Sequence, residues 1–293
     1  MDYKKIFIKQ QTRMNLLKLF SFISDEQMIK FQYRVKFGKK LNLDNCISFT
    51  EKIQRYKLYY RNPLLHTCVD KIDVKKYIRD KGLSDIVIPT ITSANSFDEI
   101  DLVTLPNQFI IKTSNGSQTN IICRDKENFD FEKAKVLYDE WMKRDYYIAG
   151  REWAYKDLRP RILVEELLNH SNNESEGIED YKFLCFNGSV EAIVVDVDRE
   201  TVHKRNIYDV NWQNLEIETD CPKINRKIER PQKLTEMINI AKKLSKDFPF
   251  VRVDLYEVNG RVYFGELTFY PWSGYVKFNP IEFDKKLGEK FLI

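Results

Sequence analysis

From residue 12 to residue 80, apolar side chains recur every three or four positions between polar ones, the spacing of helices that bury one face. Ser24-Asp25-Glu26-Gln27 has capping-box form and Gly38 supplies a stop, which predicts a first helix between them. A second is predicted from near Thr50, with Ile53, Tyr56, Lys57 and Tyr60 at helical spacing, and a third over residues 70–80, stopped by Gly82. From residue 86 short apolar runs predict strands at 86–89, 108–113 and 120–124, followed by an amphipathic helix at 131–144. Residues 161–168 read as an apolar strand with Glu165-Glu166 embedded in it, and the polar stretch 170–179 as a mobile loop. Strands at 180–186 and 190–197 flank Asn187-Gly188, a hairpin signal; after the mixed stretch 202–230, a helix is predicted at 232–246. Residues 250–274 hold two runs rich in Val, Tyr, Phe and Leu on either side of Asn259-Gly260, a second hairpin. Helices first, then hairpins with a few helices between them, make an α+β chain rather than a doubly wound parallel one.

Composition narrows the class. The 293 residues, 43% apolar and 31% charged, suit a soluble globular chain of one large or two modest domains. Cys46, Cys68, Cys123, Cys185 and Cys221 are scattered and odd in number, as expected of thiols in a reducing cytoplasm. His66, His170 and His203 are not spaced as a zinc pair, which weakens zinc and His-triad chemistry. No run approaches the ~20 apolar residues of a membrane span, and the N-terminal stretch, interrupted by Lys18, is too polar for a signal peptide. Residues 1–80 carry 18 Lys/Arg against 8 Asp/Glu, a balance of +10, which leaves −6 for the rest of a chain whose total is +4. Such a basic third suits an acidic sugar, phospholipid or nucleic acid, and equally suits helices with lysine-rich wet faces. The aromatics follow core periodicity rather than a basic stripe, which argues against nucleic acid.

Candidate chemistry begins in the last hairpin, where Asp254 and Glu266 interrupt the two arms. Carboxylates on a half-buried sheet are costly unless paired or metal-bound, so the pair is a candidate Mg2+ site. Register decides whether they meet. A two-residue Asn259-Gly260 turn in a regular ladder puts them on opposite faces. A three-residue loop, Val258-Asn259-Gly260, puts Arg252, Asp254, Glu266 and Thr268 on one face. Upstream, Lys112 ends a strand and precedes Thr113-Ser114-Asn115-Gly116-Ser117-Gln118-Thr119-Asn120, a small polar loop able to aim N–H groups at phosphate oxygens. Val164-Glu165-Glu166-Leu167-Leu168 could wall a purine pocket. Lys182, on a strand between apolar neighbours, either snorkels or pairs with an anion; Lys204 and Arg205 add positive charge or form an exposed turn. Neither G-x-G-x-x-G nor G-x-x-x-x-G-K-[ST] occurs.

This order of lysine and loop, double-acid strand, second lysine, then Arg-x-Asp and Glu resembles the ATP-grasp superfamily. Tyr33-Arg34, Gly38-Lys39-Lys40-Leu41-Asn42-Leu43, Phe49-Thr50-Glu51-Lys52-Ile53-Gln54, Asp70-Lys71, Asp180-Tyr181-Lys182-Phe183, Phe186-Asn187-Gly188, Arg252-Val253-Asp254 and Gly265-Glu266-Leu267-Thr268-Phe269 are similar to its TupA-like, teichuronopeptide-biosynthesis branch. The resemblance implies a helical N-terminal region (1–85) and two antiparallel α+β lobes (86–168 and 169–293) enclosing a nucleotide cleft. Lys112 would contact ATP phosphates under a closing loop of Ser114, Asn115, Gly116, Ser117 and Thr119. Glu165, Glu166 and Leu168 would line the adenine and ribose pocket, with Lys182 as a second phosphate or adenine-side contact. Asp254, Glu266 and Thr268 would hold Mg2+, and Arg252, with Lys182 and Lys204, would serve the transferring phosphoryl group. Two departures stand out: Thr268 replaces the usual Asn, and the loop has a single glycine. The implied activity is an ATP- and Mg2+-dependent carboxylate–amine ligase that forms an amide through an acyl phosphate. Its substrates would be an acidic sugar and an amino acid in cell-surface or capsule polysaccharide biosynthesis. A cytoplasmic site is implied, with contact at the inner membrane face or with a lipid-linked saccharide. The rivals are a kinase or glycosyltransferase on the same scaffold and a non-catalytic nucleotide-binding module.

Overall fold

Capping determines where the N-terminal helices begin. The computed structural model describes residues 17–168, 178–197 and 203–293. Helix α1 (Asp25–Phe37) starts where Ser24 Oγ accepts the Gln27 N–H and ends at Gly38, whose φ of 73° the missing Cβ permits. The complete capping box is one helix later: at α2 (Phe49–Tyr59), Ser48 Oγ accepts the Glu51 N–H while Glu51 Oε2 accepts that of Ser48. A short helix, α3 (Leu64–Val69), precedes the third predicted helix, which runs as α4 (Val74–Asp80). Its expected start, Asp70, is extended, and its carboxylate accepts the N–H groups of Ile72 and Asp73, a turn that delays the helix.

A small antiparallel sheet follows, of strands β1 (Thr90–Ala94), β2 (Phe109–Thr113), β3 (Asn120–Cys123) and β4 (Ile162–Glu166), ordered β1-β4-β2-β3. The strand expected at 86–89 lies instead just past Pro89, which has no N–H to give a ladder; Ser84–Ile86 is a 3-10 turn. Helix α5 (Phe131–Trp141) covers the sheet through Ala134 and Tyr138, closing a core with Phe109, Ile111, Ile162 and Val164. A short helix, α6 (Tyr146–Gly150), leads back toward β4.

The large antiparallel sheet comprises β5 (Asp180–Phe186), β6 (Ser189–Val197), β7 (Lys204–Tyr208), β8 (Phe250–Val258) and β9 (Arg261–Thr268), ordered β7-β6-β5-β8-β9. Strand β7 comes from the stretch that showed no clear period. Most of the expected loop at 170–179 lies outside the described residues. Helix α7 (Leu234–Ser245) lays Leu234, Met237, Ala241 and Leu244 against this sheet, and α2 adds Phe49, Ile53 and Tyr56 to the same core. Burying three such side chains contributes roughly 1.5–3 kcal/mol each. Helix α8 (Glu282–Lys290) joins α2: the Thr50 N–H and hydroxyl donate to Asp284, and Lys52 Nζ to the carbonyls of Gly288 and Phe291. Among the described residues no helix is long and apolar enough to cross a membrane.

Candidate functional site

The last hairpin turns on two residues, not three. Val258 pairs with Arg261, leaving Asn259 (φ 52°) and Gly260 (φ 73°) as a tight left-handed turn. In a regular ladder that turn separates Asp254 from Glu266, yet the two are direct partners. A bulge reconciles them: Leu255 pairs with Phe264 and Asp254 with Glu266, so Gly265 is the extra residue. A Cβ on Gly265 would lie 3.0 Å from the Tyr256 ring and 3.1 Å from the Asp254 carbonyl oxygen, so the crowded bulge favours glycine.

The bulge brings Arg252, Asp254, Glu266 and Thr268 onto one face. Arg252 donates from Nε and Nη2 to the two oxygens of Asp254, both at 2.7 Å. The same Nη2 donates to Glu266 Oε1 at 2.9 Å and Thr268 Oγ1 at 3.0 Å. Burial pushes the Asp254 carboxyl up to about 7, although Arg252 and Lys182 pull the other way. Burial also opposes the charge on Glu266, but Arg252 and then Lys71 outweigh it and hold that carboxyl at about 2. Glu266 keeps 39% of its side-chain surface exposed, where Asp254 keeps 3%. Two carboxylates and a hydroxyl are the donors Mg2+ takes when phosphate oxygens and waters complete its shell, so these residues fit that ion. Among the described residues no group of three or more His, Cys, Asp or Glu could hold a metal alone.

The charged face continues across the sheet. Lys182, buried on β5, is ion-paired with Asp180 and lies 3.4 Å from Asp196 and 3.7 Å from Asp254. Asp196 receives a two-pronged contact from Arg205, at 2.6 and 3.0 Å, and the His203 ring at 3.1 Å. Burial opposes its charge, but His203, Arg205 and Lys182 prevail and hold Asp196 far below the usual carboxylate range. The Arg205 guanidinium also lies over the Trp272 ring, 4.9 Å from its centre. Lys204 precedes Arg205 on β7, so strand alternation turns it to the opposite face. Arg205 therefore stands where the sequence reading placed Lys204. Two acids showed this cluster's other half in the sequence: Asp180 and Asp196 flank the hairpin at Asn187-Gly188.

On the small sheet, Lys112 Nζ donates to Glu165 Oε2 at 2.7 Å, and Lys75 Nζ meets Glu165 Oε1 at 2.5 Å. Burial disfavours the Glu165 charge, but Lys112 and Lys75 overcome it and hold the carboxyl below its ordinary value. The Glu165 carboxylate is thus turned to two lysines. Glu166 is exposed at the strand end and Leu168 half-buried just beyond it. The loop after Lys112 is folded inward: Ser114, Asn115, Gly116 and Thr119 are buried, while Ser117 is exposed. A Cβ on Gly116 would lie 2.2 and 2.5 Å from the Thr113 and Thr119 hydroxyls, so only glycine fits there.

One residue ties the two faces together, and the sequence reading assigned it no role. The Lys71 N–H donates to the Ser114 carbonyl at 2.8 Å, and its Nζ to the Gly116 carbonyl at 2.5 Å. Burial lowers the Lys71 amine; the acids Glu266, Asp70 and Glu165 act against that, and Lys112 adds to it. Glu266 belongs to the large sheet, and Lys112 with Glu165 to the small one, so Lys71 stands between them. Arg161 secures the same corner, exchanging backbone contacts with Ser114 and pairing with Asp70 at 2.9 Å and Asp73 at 2.7 Å. The adjacency of Asp70 and Lys71 before a helix was the available signal.

A family profile described as TupA-like ATPgrasp matches residues 51–292. The chain belongs to the TupA-like ATP-grasp family. No curated protein matches it. Among solved structures, it is similar to a D-alanine–D-alanine ligase from Bacillus anthracis complexed with ATP (16% identity, TM-score 0.42), covering 69% of this chain and 55% of that one. It is also similar to an L-amino acid ligase from Bacillus licheniformis, at 13% identity and TM-score 0.48, over 86% of this chain and 57% of that one. An N5-carboxyaminoimidazole synthase from Aspergillus clavatus, in complex with ADP and 5-aminoimidazole ribonucleotide, gives 13% identity and TM-score 0.37, over 75% and 46%. The chain thus spans about half the length of these enzymes.

Chemically, this TupA-like site gathers cations around carboxylates borne by two sheets. Phosphoryl transfer needs positioning and charge neutralisation more than a protein nucleophile, and Lys71, Lys112, Lys182 and Arg252 can supply both.

Proposed function

We propose that the chain is an ATP- and Mg2+-dependent carboxylate–amine ligase, making an amide through an acyl phosphate. The observation that carries this reading is the pairing of Asp254 with Glu266 across the bulge, beside Arg252 and Thr268, in an ATP-grasp chain. Asp254, Glu266 and Thr268 would hold Mg2+, which when bound neutralises phosphate charge. Lys112 and the loop of Ser114, Asn115, Gly116, Ser117 and Thr119 would take phosphate oxygens, with Lys71 fixing that loop from below. Glu165 would set Lys112 and, with Glu166 and Leu168, would line the adenine and ribose side. Lys182 and Arg252 would orient the transferring phosphoryl group, supported by Arg205, rather than Lys204, through Asp196 on the same face.

The proposed substrates are an acidic sugar and an amino acid, in the polysaccharide chemistry implied by the TupA-like resemblance. The basic N-terminal third supports an anionic partner, and the exposed Leu19, Phe22 and Phe31 support contact with the inner membrane face from the cytoplasm. We assign residues 1–85 to the substrate or membrane side, 86–168 to the small lobe and 169–293 to the large lobe.

Calorimetry of ATP binding with and without Mg2+ tests the nucleotide site, comparing wild type with Lys112→Ala and with Asp254→Asn/Glu266→Gln. Binding should require Mg2+ and weaken in both variants; folded wild-type chain that binds no ATP defeats the proposal. Turnover then discriminates chemistry: ADP, phosphate and an amide mark a ligase, whereas ADP with a phosphorylated product marks a kinase.

A further inference from the structure

We infer that Arg252 is a resident counter-cation that closes the metal site to bare divalent ions, so that Mg2+ enters only together with a nucleotide. The inference rests on the nucleotide-site reading above and adds to it an order of binding. One guanidinium touches every side chain in the proposed donor set: both oxygens of Asp254, Oε1 of Glu266 and Oγ1 of Thr268. Thr268 Oγ1 also lies 3.0 Å from Glu266 Oε1, so the three groups converge on the place the guanidinium fills. Both sides of the central pair are buried, with side chains 8% and 3% exposed, so little water competes for these contacts.

A divalent ion must compete with the fork for those oxygens. Mg2+ requires oxygens at about 2.0–2.1 Å in near-octahedral order, and a cation already donating hydrogen bonds to the same lone pairs repels it. Lys182, 3.7 Å from Asp254, adds to the barrier from the other side. Nucleotide phosphates change the balance. A planar guanidinium binds phosphate in the same two-pronged way it binds carboxylate, so an arriving phosphate chain gives Arg252 an alternative partner. Its departure frees Asp254 and Glu266 for the ion that the phosphates carry with them. The same side chain would then lie on the phosphoryl group to be transferred.

Mn2+ titration of the full chain without nucleotide, followed by electron paramagnetic resonance of the free ion, reads this directly. Arg252→Met should bind Mn2+ about tenfold or more tightly than wild type, within the usual range of coupling between two sites. Adding Asp254→Asn to that variant should abolish the gain. Should Arg252→Met fail to fold, Arg252→Lys keeps the charge but loses the fork and should show a smaller gain in the same direction. Equal Mn2+ affinity in folded Arg252→Met and wild type, with wild type still binding Mn2+ and ADP together, overturns the counter-cation role alone. Failure of wild type to bind Mn2+ with ADP overturns the nucleotide-site reading and this inference with it.

Discussion

Replacing Glu165 with Gln keeps the size of the side chain and removes its charge. That carboxylate is 6% exposed and faces two ammonium groups, Lys75 at 2.5 Å and Lys112 at 2.7 Å. Removing one partner of a buried ion pair costs about 3–5 kcal/mol, because the other charge stays behind without compensation. Lys75 keeps the Ile88 carbonyl and Thr90 hydroxyl as acceptors, and Lys112, 20% exposed, reaches water. Both facts move the figure to the lower end, so we expect a loss of about 3 kcal/mol at neutral pH. Urea titration followed by circular dichroism measures it, repeated in steps toward acid. Glu165 is held below its ordinary 4.5, so its contribution is present above that value and is lost as pH falls through the lower folded one. The wild-type curve should therefore drop more steeply in acid and converge on that of the variant, which has no carboxylate to protonate. A neutral-pH loss under about 1 kcal/mol, or parallel acid limbs, refutes the argument that this carboxylate anchors both lysines.

Three further substitutions test other parts of the fold. Gly265→Val should cost nucleotide-dependent metal binding more than it costs stability, because the bulge cannot admit the branched side chain and Glu266 loses its place opposite Asp254; unchanged Mn2+ and ADP binding would count against the bulge as the device that builds the site. Gly116→Ala should destabilise by about 1–3 kcal/mol through overpacking against the Thr113 and Thr119 hydroxyls, and should weaken ATP binding in the calorimeter. Thr50→Val removes a buried hydroxyl that donates to Asp284 at 2.7 Å and should cost about 1.5–3 kcal/mol in urea titration, with Thr50→Ser restoring most of it.

The residues of the site were largely legible in the chain, and their connections less so. Acids interrupting two apolar arms were enough to mark Asp254 and Glu266, because a half-buried sheet penalises unpaired carboxylates. The turn is the exception: a three-residue loop is one way to make the acids face each other, but a bulge at Gly265, four ladder pairs from a two-residue turn, does the same work. The trace this bulge leaves in the sequence is a single glycine within a strand, Gly265, which marks where a bulge can form but not that one does. The choice between Lys204 and Arg205 turned on one residue of strand phase in a stretch whose pattern was mixed. Lys71 and Lys75 were hidden for another reason. Their importance comes from contacts with Gly116 and Glu165, 45 and 90 positions later, which periodicity cannot reveal. Nor does any local feature show that two lysines arrive at the Glu165 carboxylate.

The seam between α2 and α8 bears on how the chain is made. Thr50 and Asp284 are 234 positions apart, and the large sheet that buries Phe49, Ile53 and Tyr56 is also translated long after them. At about 5–20 residues per second, a ribosome leaves roughly 10–50 s between the synthesis of this helix and that of its partner. Until β5 and β8 emerge, the apolar face of α2 lacks the sheet that covers it, and its partner on α8 comes later still, so a segment made early is among the last to be secured. Slowing translation before residue 284 would lengthen the wait for this seam, while speeding it would shorten it.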